Sequence, residues 1–450
     1  MQGPNIVIVG AGFAGVEAAR SLERSLTPGE ARVTLISPTD YQLYLPLLPH
    51  VAAGVVTPQS VAPSLRRILH RTALVPGGVI GVDPQAKVCV VRKITGDLVD
   101  LRYDYLVLTP GSVTRTFDIP GLAEEARGMK TLAQAAYLRD HVIAQLALAA
   151  ATSDYDEQAA RLQFVVVGGG YAGTETAACL QRLTTAAAQR YHPRIDPGLI
   201  KWHLIDVAPK LLPELGDKLG ASAMEMLGKR GVRISLGTSV ASVTKDEITL
   251  TDGRVLPSRT LVWTAGVAAS PLVDSLGAET VRGRLVTEPD FRVPGLDGVF
   301  ALGDAAAVPD LAKGDGSACP PTAQHAARQG RHAAKVLTAK LRGEPTLPYR
   351  HRDLGLVVDL GGHDAVSKPL GIGLKGAPAQ LVARGYHLYA LRTGSARFRT
   401  SANWLLNAVA GDDFVRTGFL ADRKGTLRDF ERTDAYLTRD EVTARTRSIA

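Results

Sequence analysis

Ile6-Val7-Ile8-Val9-Gly10-Ala11-Gly12-Phe13-Ala14-Gly15 is an apolar strand running straight into a G-x-G-x-x-G turn. Phe164-Val165-Val166-Val167-Gly168-Gly169-Gly170-Tyr171-Ala172-Gly173 repeats that order far along the same chain. Each turn opens a helix rich in small residues, Val16 to Leu22 in one case and Thr174 to Leu183 in the other. In such a turn the first glycine allows the tight reversal and the second lets the backbone approach a pyrophosphate. The third lets helix pack on strand, and the helix N-terminus faces the phosphates. One turn alone is a weak signal. Two, each placed between strand and helix, imply two bound dinucleotides, which suggests electrons passing from a nicotinamide to a flavin.

Working outward, the first unit continues into a second strand, Arg32-Val33-Thr34-Leu35-Ile36, and then a Tyr, Leu and Pro-rich loop from Tyr41 to Pro49. A loop this apolar packs on the core or on a flat cofactor. Segments from Leu74 to Val91 read as strands, and Tyr105-Leu106-Val107-Leu108 is a buried strand ending in the Thr109-Pro110-Gly111-Ser112 turn. A helix from Ala133 to Ala151 bridges to the second unit, whose partner strand Trp202-His203-Leu204-Ile205-Asp206 follows an extended crossover, Thr184 to Ile200. Further strands are expected at Val232–Leu236 and Leu261–Thr264. Gly298 to Asp304 returns as a strand of the first domain, so the second domain is inserted in the first. Leu354 to Leu360 is strand-like, Trp404 to Val409 is a compact apolar helix, and the polar end beyond Thr433 is expected to fray.

The 450 residues have room for about two or three domains, with ordinary hydrophobic (45%) and charged (21%) content. The first strand starts too early for a signal peptide, and no apolar run is long enough to span a bilayer. The net charge of +8 reads as a solvated basic surface or as attraction to anionic lipid or acidic partners. Basic residues are dense late in the chain, at Arg392, Arg397, Arg399, Arg416, Arg423, Lys424, Arg428 and Arg432. No nucleic-acid recognition motif accompanies them, so no nucleic-acid partner is expected. Cys89, Cys179 and Cys319 are far apart, which argues against a disulfide framework or a redox pair of neighbouring cysteines. No metal site is expected.

With both turns, the Tyr41 to Pro49 loop, Thr264-Ala265-Gly266, Gly303-Asp304 and Pro321-Thr322-Ala323-Gln324 in view, the chain from Asn5 to Phe419 resembles a known family. It is similar to the two-dinucleotide-binding flavoprotein reductases and, within them, to the type II NADH dehydrogenases, single-chain NADH:quinone oxidoreductases. The resemblance implies an α/β fold of two Rossmann-like, glutathione-reductase-like domains plus a C-terminal α+β membrane-surface region. It divides the chain into an FAD-binding domain (1–125 and 285–345), an inserted NAD(P)H-binding domain (126–284) and a C-terminal interface or membrane-association region (346–450).

It further implies that Gly10, Gly12, Phe13, Ala14 and Gly15 bind FAD together with Thr109, Gly111, Gly303, Asp304, Ala323 and Gln324. Gly168, Gly170, Tyr171, Ala172 and Gly173, with Ala265 and Gly266, would receive NADH. Where the family's FAD unit ends its second strand in an acid, this chain has Ser37, a weaker ribose partner. The second unit keeps its acid, Asp206, which favours NADH by repelling the 2′-phosphate of NADPH, although nearby Lys210 leaves NADPH possible. Glu175 is placed by the resemblance near the nicotinamide and flavin; read alone, it is a first-turn helix acid stabilised by the dipole. The helix expected from about Pro321 aims its N-terminus at the flavin. The family's quinone signature Ala-Gln-x-Ala-x-Gln reads here Ala323-Gln324-His325-Ala326-Ala327-Arg328. The second glutamine is thus replaced by Arg328 on the helix face of Gln324.

Aromatic residues Tyr386, Tyr389, Trp404, Phe414 and Phe419 interleave with arginines, fitting an interfacial helix pair. The same pattern fits capping helices or a homodimer interface. The leading expectation is an FAD enzyme that passes two electrons from NADH to a membrane quinone without pumping protons. It would sit on the cytoplasmic, inner face of the cell membrane, with Glu175, Gln324 and Arg328 at the reacting centre. The alternative is a soluble NAD(P)H-dependent flavoprotein reductase of a protein carrier or small anionic acceptor. A nucleotide-sensing scaffold and a sulfide:quinone enzyme are further classes, the latter needing two cooperating cysteines.

Overall fold

The computed structural model describes residues 3–351, 354–411, 413–418, 425–431 and 435–447. Phe419, Arg423, Lys424 and Arg432, which the sequence reading singled out, lie outside the described residues. Asn5–Val9 is central in a seven-stranded sheet ordered Val299–Ala301, Tyr105–Leu108, Asn5–Val9, Arg32–Ser37, Ala73–Asp83, Val88–Lys93 and Leu98–Arg102. The first five run parallel and the last two continue as antiparallel hairpins. Parallel strands are covered on both faces, which is why Ile6, Val7 and Ile8 form a continuous apolar run of zero exposure rather than alternating.

A second parallel sheet orders Val232–Leu236, Lys201–Asp206, Gln163–Val167, Thr260–Trp263 and Ala126–Arg127. The strand after each sheet's central crossover, Tyr105–Leu108 or Thr260–Trp263, flows into a short two-stranded ribbon. There Ser112–Thr114 pairs antiparallel with Val267–Ala269, joining the two units. The Val299–Ala301 strand joins the first sheet beside Tyr105–Leu108, as its sequence predicts. A further small antiparallel sheet, Val357–Asp359, Ala365–Ser367 and Leu374–Lys375, carries the helix Ala377–Ala390, against which the helix Gly394–Ala410 packs.

Several boundaries differ from the sequence reading for identifiable reasons. The second glycine helix runs Tyr171–Tyr191, so half of the extended crossover is more helix. The expected helix from Pro321 starts instead at Ala323, because Thr322 caps it by accepting a hydrogen bond from His325 N at 3.3 Å. Trp404 to Val409 is only the last part of Gly394–Ala410. The expectation of a frayed end is overturned: Arg439–Arg447 is a helix. Val442, 1% exposed, packs with Ile80 and Val90, and Arg445 pairs with Asp100 at 2.9 Å. No helix among the described residues is long and apolar enough to cross a membrane.

Candidate active site

The two glycine turns are built alike. Gly10 takes φ +96°, and its N–H donates to Ile36 O at 2.9 Å. A Cβ on Gly15 would stand 2.0 Å from Gly10 O, so only glycine lets the Phe13–Ser25 helix lie this close to the strand. In the second turn Gly168 has φ +119°, its N–H reaches Ile205 O at 2.8 Å, and a Cβ on Gly173 would meet Gly168 O at 1.9 Å. A threonine buttresses each turn: Thr109 Oγ1 donates to Val9 O and Thr264 Oγ1 to Val167 O, both at 2.7 Å. The helix caps Gly12 and Gly170 carry no side-chain cap, and nothing lies within 4 Å of where their Cβ atoms would be. Both helix N-termini, beginning at Phe13-Ala14 and Tyr171-Ala172, therefore present bare N–H groups to open space, as a pyrophosphate requires.

Around the first turn, Ser37 ends its strand buried, with its hydroxyl 3.3 Å from Thr39 Oγ1. Asp304 follows the Val299–Ala301 strand in a short turn. Its Oδ2 accepts from Ser112 Oγ at 2.8 Å, and Lys130 Nζ donates to the same Ser112 Oγ at 2.8 Å. Burial pulls the Lys130 ammonium below its ordinary value, while Asp304 and Glu431 oppose that. Ser112 and Lys130 carry no sequence signal as site residues. Gly303 N donates to Gln329 Oε1 at 2.8 Å, tying Asp304's turn to the Ala323–Leu341 helix. Gly111 and Gly266, both at positive φ, flank the ribbon between the two units, and Ala265 is partly buried beside it.

At the second turn Asp206 is held by backbone donors. Its Oδ1 accepts from Ala208 N at 2.7 Å and its Oδ2 from Gly169 N, so the carboxylate also fixes the turn. Lys210 points elsewhere: its Nζ pairs with exposed Asp217 at 2.8 Å.

A buried path links the two helix N-termini. The Phe13 ring meets Tyr44 edge-on at 5.9 Å between centroids, and Tyr44 Oη lies 3.0 Å from His387 Nδ1. The adjoining Asp359 holds three neighbours: His50 Nε2 sits 3.2 Å from Oδ2, Gln380 Nε2 donates to Oδ2 at 2.8 Å, and Gly361 N donates to Oδ1 at 2.7 Å. Asp359 N in turn donates to Glu175 Oε1 at 2.8 Å. Burial works against charge on every member. At Asp359 it is outweighed by His50 and the hydrogen-bond donors, which hold the carboxyl at about 2. At His50 it is outweighed by Asp359, so the imidazole is raised well above its ordinary value. Glu175 forms no ion pair among the described residues, and burial, only partly opposed by Asp359 N–H and His50, pushes it up to about 8. The path thus holds a buried ion pair, His50–Asp359, beside a protonated carboxyl. Cys179 faces His50 and is raised by burial. His50, Asp359 and His387 were not found from sequence: His50 follows an apolar loop and Asp359 ends an apolar run, and nothing local marks either.

Gln324 is buried with its amide engaged. Oε1 accepts from Leu354 N at 2.9 Å and Nε2 donates to Gly355 O at 3.4 Å. Arg328 lies one turn on, half-buried, with Nη1 donating to Gln324 O at 3.2 Å, and its charge is felt by the Tyr386 phenol. No carboxylate among the described residues pairs with Arg328.

The family model described as pyridine nucleotide-disulphide oxidoreductase matches residues 4–330. The type II NADH:quinone oxidoreductase Ndh of Mycobacterium tuberculosis is 32% identical over 438 residues, covering 94% of this chain and 89% of that protein. The type II NADH:quinone oxidoreductase of Staphylococcus aureus is 29% identical over 384 residues, covering 84% and 93%. Among solved structures, NDH2 from Plasmodium falciparum in complex with NADH superposes with a TM-score of 0.84 at 18% identity, over 92% of this chain and 99% of that one, a likeness of fold.

Proposed function

We propose, from the premise that the chain belongs to the pyridine nucleotide-disulphide oxidoreductase family and within it to the type II NADH:quinone oxidoreductases, that it oxidises NADH through bound FAD and reduces a membrane quinone. The carrying observation is the pair of open glycine turns joined by one buried path from Phe13 to Glu175. When bound, FAD accepts the hydride of NADH and passes two electrons onward. The chain's own residues do the rest. The Gly10 to Gly15 turn, a cradle that any Cβ would fill, would hold the FAD pyrophosphate, with Ser37 at the ribose and Thr109, Gly111, Gly303, Asp304, Ala323 and Gln324 around the rest. The Gly168 to Gly173 turn, Asp206, Ala265 and Gly266 would hold NADH.

A protonated Glu175 would add no negative charge to a cleft holding FAD, and the Ala323–Leu341 helix N-terminus would offer its dipole to the flavin. The reading has the two electrons reach the quinone without proton pumping; no helix among the described residues is long and apolar enough to cross a membrane. The domain division expected from sequence, 1–125 with 285–345, 126–284 and 346–450, is kept as part of the proposal. So is the membrane-surface role of the last region. Its support is the exposed apolar set Leu381, Tyr389, Phe398, Leu405, Leu406 and Val409 on two adjacent helices.

The test is direct. The purified protein is expected to be yellow, to be bleached by NADH without oxygen, and to recover its colour on adding quinone. A protein that cannot be loaded with FAD sinks the proposal. Bleaching without recovery by any quinone moves it to the soluble-reductase reading, which the charge of Arg328 favours through an anionic acceptor.

A further inference from the structure

Away from both turns, a cavity of about 390 Å³ opens between the Phe13–Ser25 helix, the 67–71 segment and the connection between helices Ala377–Ala390 and Gly394–Ala410. Five arginines line it, Arg20, Arg24, Arg67, Arg71 and Arg392, against one carboxylate, Glu23. Glu23 is already committed: it accepts from the N–H groups of His70 (3.0 Å), Arg71 (2.8 Å) and Thr72 (2.7 Å). Behind the cavity, buried Glu17 is shared by three guanidinium groups, Arg331 at 2.7 Å, Arg392 at 3.0 Å and Arg20 at 3.9 Å. Among the described residues no carboxylate pairs with Arg24, Arg67 or Arg71. Clustered guanidinium groups left without carboxylates are the composition that recognises phosphate, through planar, bidentate donors.

Position narrows the source of that phosphate. Arg20 and Arg24 stand about 12 and 18 Å along the helix axis from the Gly12 cap, so the cavity is remote from the pyrophosphate turn. Its rim is continuous with the apolar helix pair. Arg392 lies in the connection between the two helices, and Arg67 Nη1 donates to Ser395 Oγ at 3.3 Å in the first turn of the second. One turn beyond Ser395 is Phe398, 74% exposed, with Leu405 (66%) and Tyr389 (75%) on the same helix pair. An amphiphile with acyl chains on those residues would bring its headgroup to the arginines.

We propose that this cavity binds the phosphate headgroup of an anionic phospholipid and so orients the protein on the bilayer. The proposal rests on the membrane-surface reading of the C-terminal helices, and two variants separate the two ideas. One combines Arg20→Gln, Arg24→Gln and Arg71→Gln; the other combines Phe398→Ser and Leu405→Ser. Equal bound-flavin absorbance in all forms checks that each is folded. Sedimentation with phosphatidylcholine vesicles, with and without phosphatidylglycerol, is the readout, paired with calorimetric titration of inorganic phosphate.

The wild type is expected to prefer the phosphatidylglycerol vesicles. The arginine variant should bind them on the order of tenfold to a hundredfold more weakly while keeping its binding to phosphatidylcholine. The Phe398/Leu405 variant should lose both. An arginine variant that retains the full preference overturns the cavity and leaves the membrane reading standing. A wild type that ignores both vesicles overturns the lipid source. Phosphate heat that disappears in the arginine variant would then show a site for soluble phosphate instead, and its absence would remove the site altogether.

Discussion

Glu175 lies in the first turns of the second glycine helix and Asp206 ends the neighbouring strand, and their surroundings give them opposite tasks. Asp206 already accepts hydrogen bonds from Gly169 N and Ala208 N. Asp206→Asn keeps an acceptor for the turn while removing the charge that faces a 2′-phosphate. It is expected to cost roughly 1–3 kcal/mol of discrimination between NADH and NADPH, read as the ratio of kcat/KM for the two. A wild type already faster with NADPH would show that this carboxylate does not face the 2′ position. Glu175 makes a pH prediction. In the unfolded chain it ionises near 4.5, whereas in the folded protein it stays protonated to about 8. Its raised value gives stability that is complete below about 4.5 and is lost as pH rises toward about 8. Glu175→Gln should therefore gain on wild type in urea-unfolding midpoint as pH climbs through that window; parallel curves would refute the buried, protonated state. Asp359 has the opposite sign, its contribution disappearing only as pH falls through about 2. His50→Gln alone should strand that carboxylate and cost on the order of 3–5 kcal/mol, and adding Asp359→Asn should recover much of it.

Among the elements, the Ala323–Leu341 helix does the most to bring the parts together. It packs along the Phe13–Ser25 helix, where a Cβ on Gly330 would come 2.2 Å from Ala14 O. Through Gln329 it grips Gly303, and through Gln324 it anchors the 354–355 backbone. Gln324 is thus structurally occupied, which leaves Arg328 as the polar group of that face best placed for an electron acceptor. Arg328→Ala should slow flavin reoxidation in stopped flow by the equivalent of about 1.5–3 kcal/mol, with reduction by NADH nearly unchanged. Arg328→Gln, which restores the family's signature, should favour neutral quinones. Unchanged acceptor kinetics in both variants would place the acceptor away from this helix.

For the whole molecule, two similar units joined by a ribbon and one buried path predict separable defects. Gly173→Ala forces a Cβ against Gly168 O at 1.9 Å, and Gly15→Ala forces one against Gly10 O at 2.0 Å. The first variant should stay yellow but be reduced by NADH at least about tenfold more slowly, since misplacing a reactant by an ångström costs more than that. The second should lose flavin on purification. Variants that lose both functions together would mean that the two turns fold as one unit, contrary to this expectation.

Both glycine turns, the parallel sheets around them, the return of Val299–Ala301 to the first sheet and the family were legible in the chain itself. Each depends on local chemistry: a run of buried apolar residues, a turn only glycine fits, a motif of fixed spacing. Helix limits were less legible, since Thr322 rather than Pro321 caps the Ala323–Leu341 helix and the C-terminal helix is held by Val442 against distant Ile80 and Val90. The His50–Asp359 pair, Lys130 behind Asp304 and the arginine cavity were invisible, because their members lie tens to hundreds of positions apart and none is unusual where it stands. Sequence determined the two strand–glycine turn–helix units, because their residues adjoin in the chain. Tertiary structure alone decided which charges meet: burial among particular neighbours leaves Glu175 protonated and Asp359 ionised, and the path of the chain brings Arg24, Arg67 and Arg71 to one cavity.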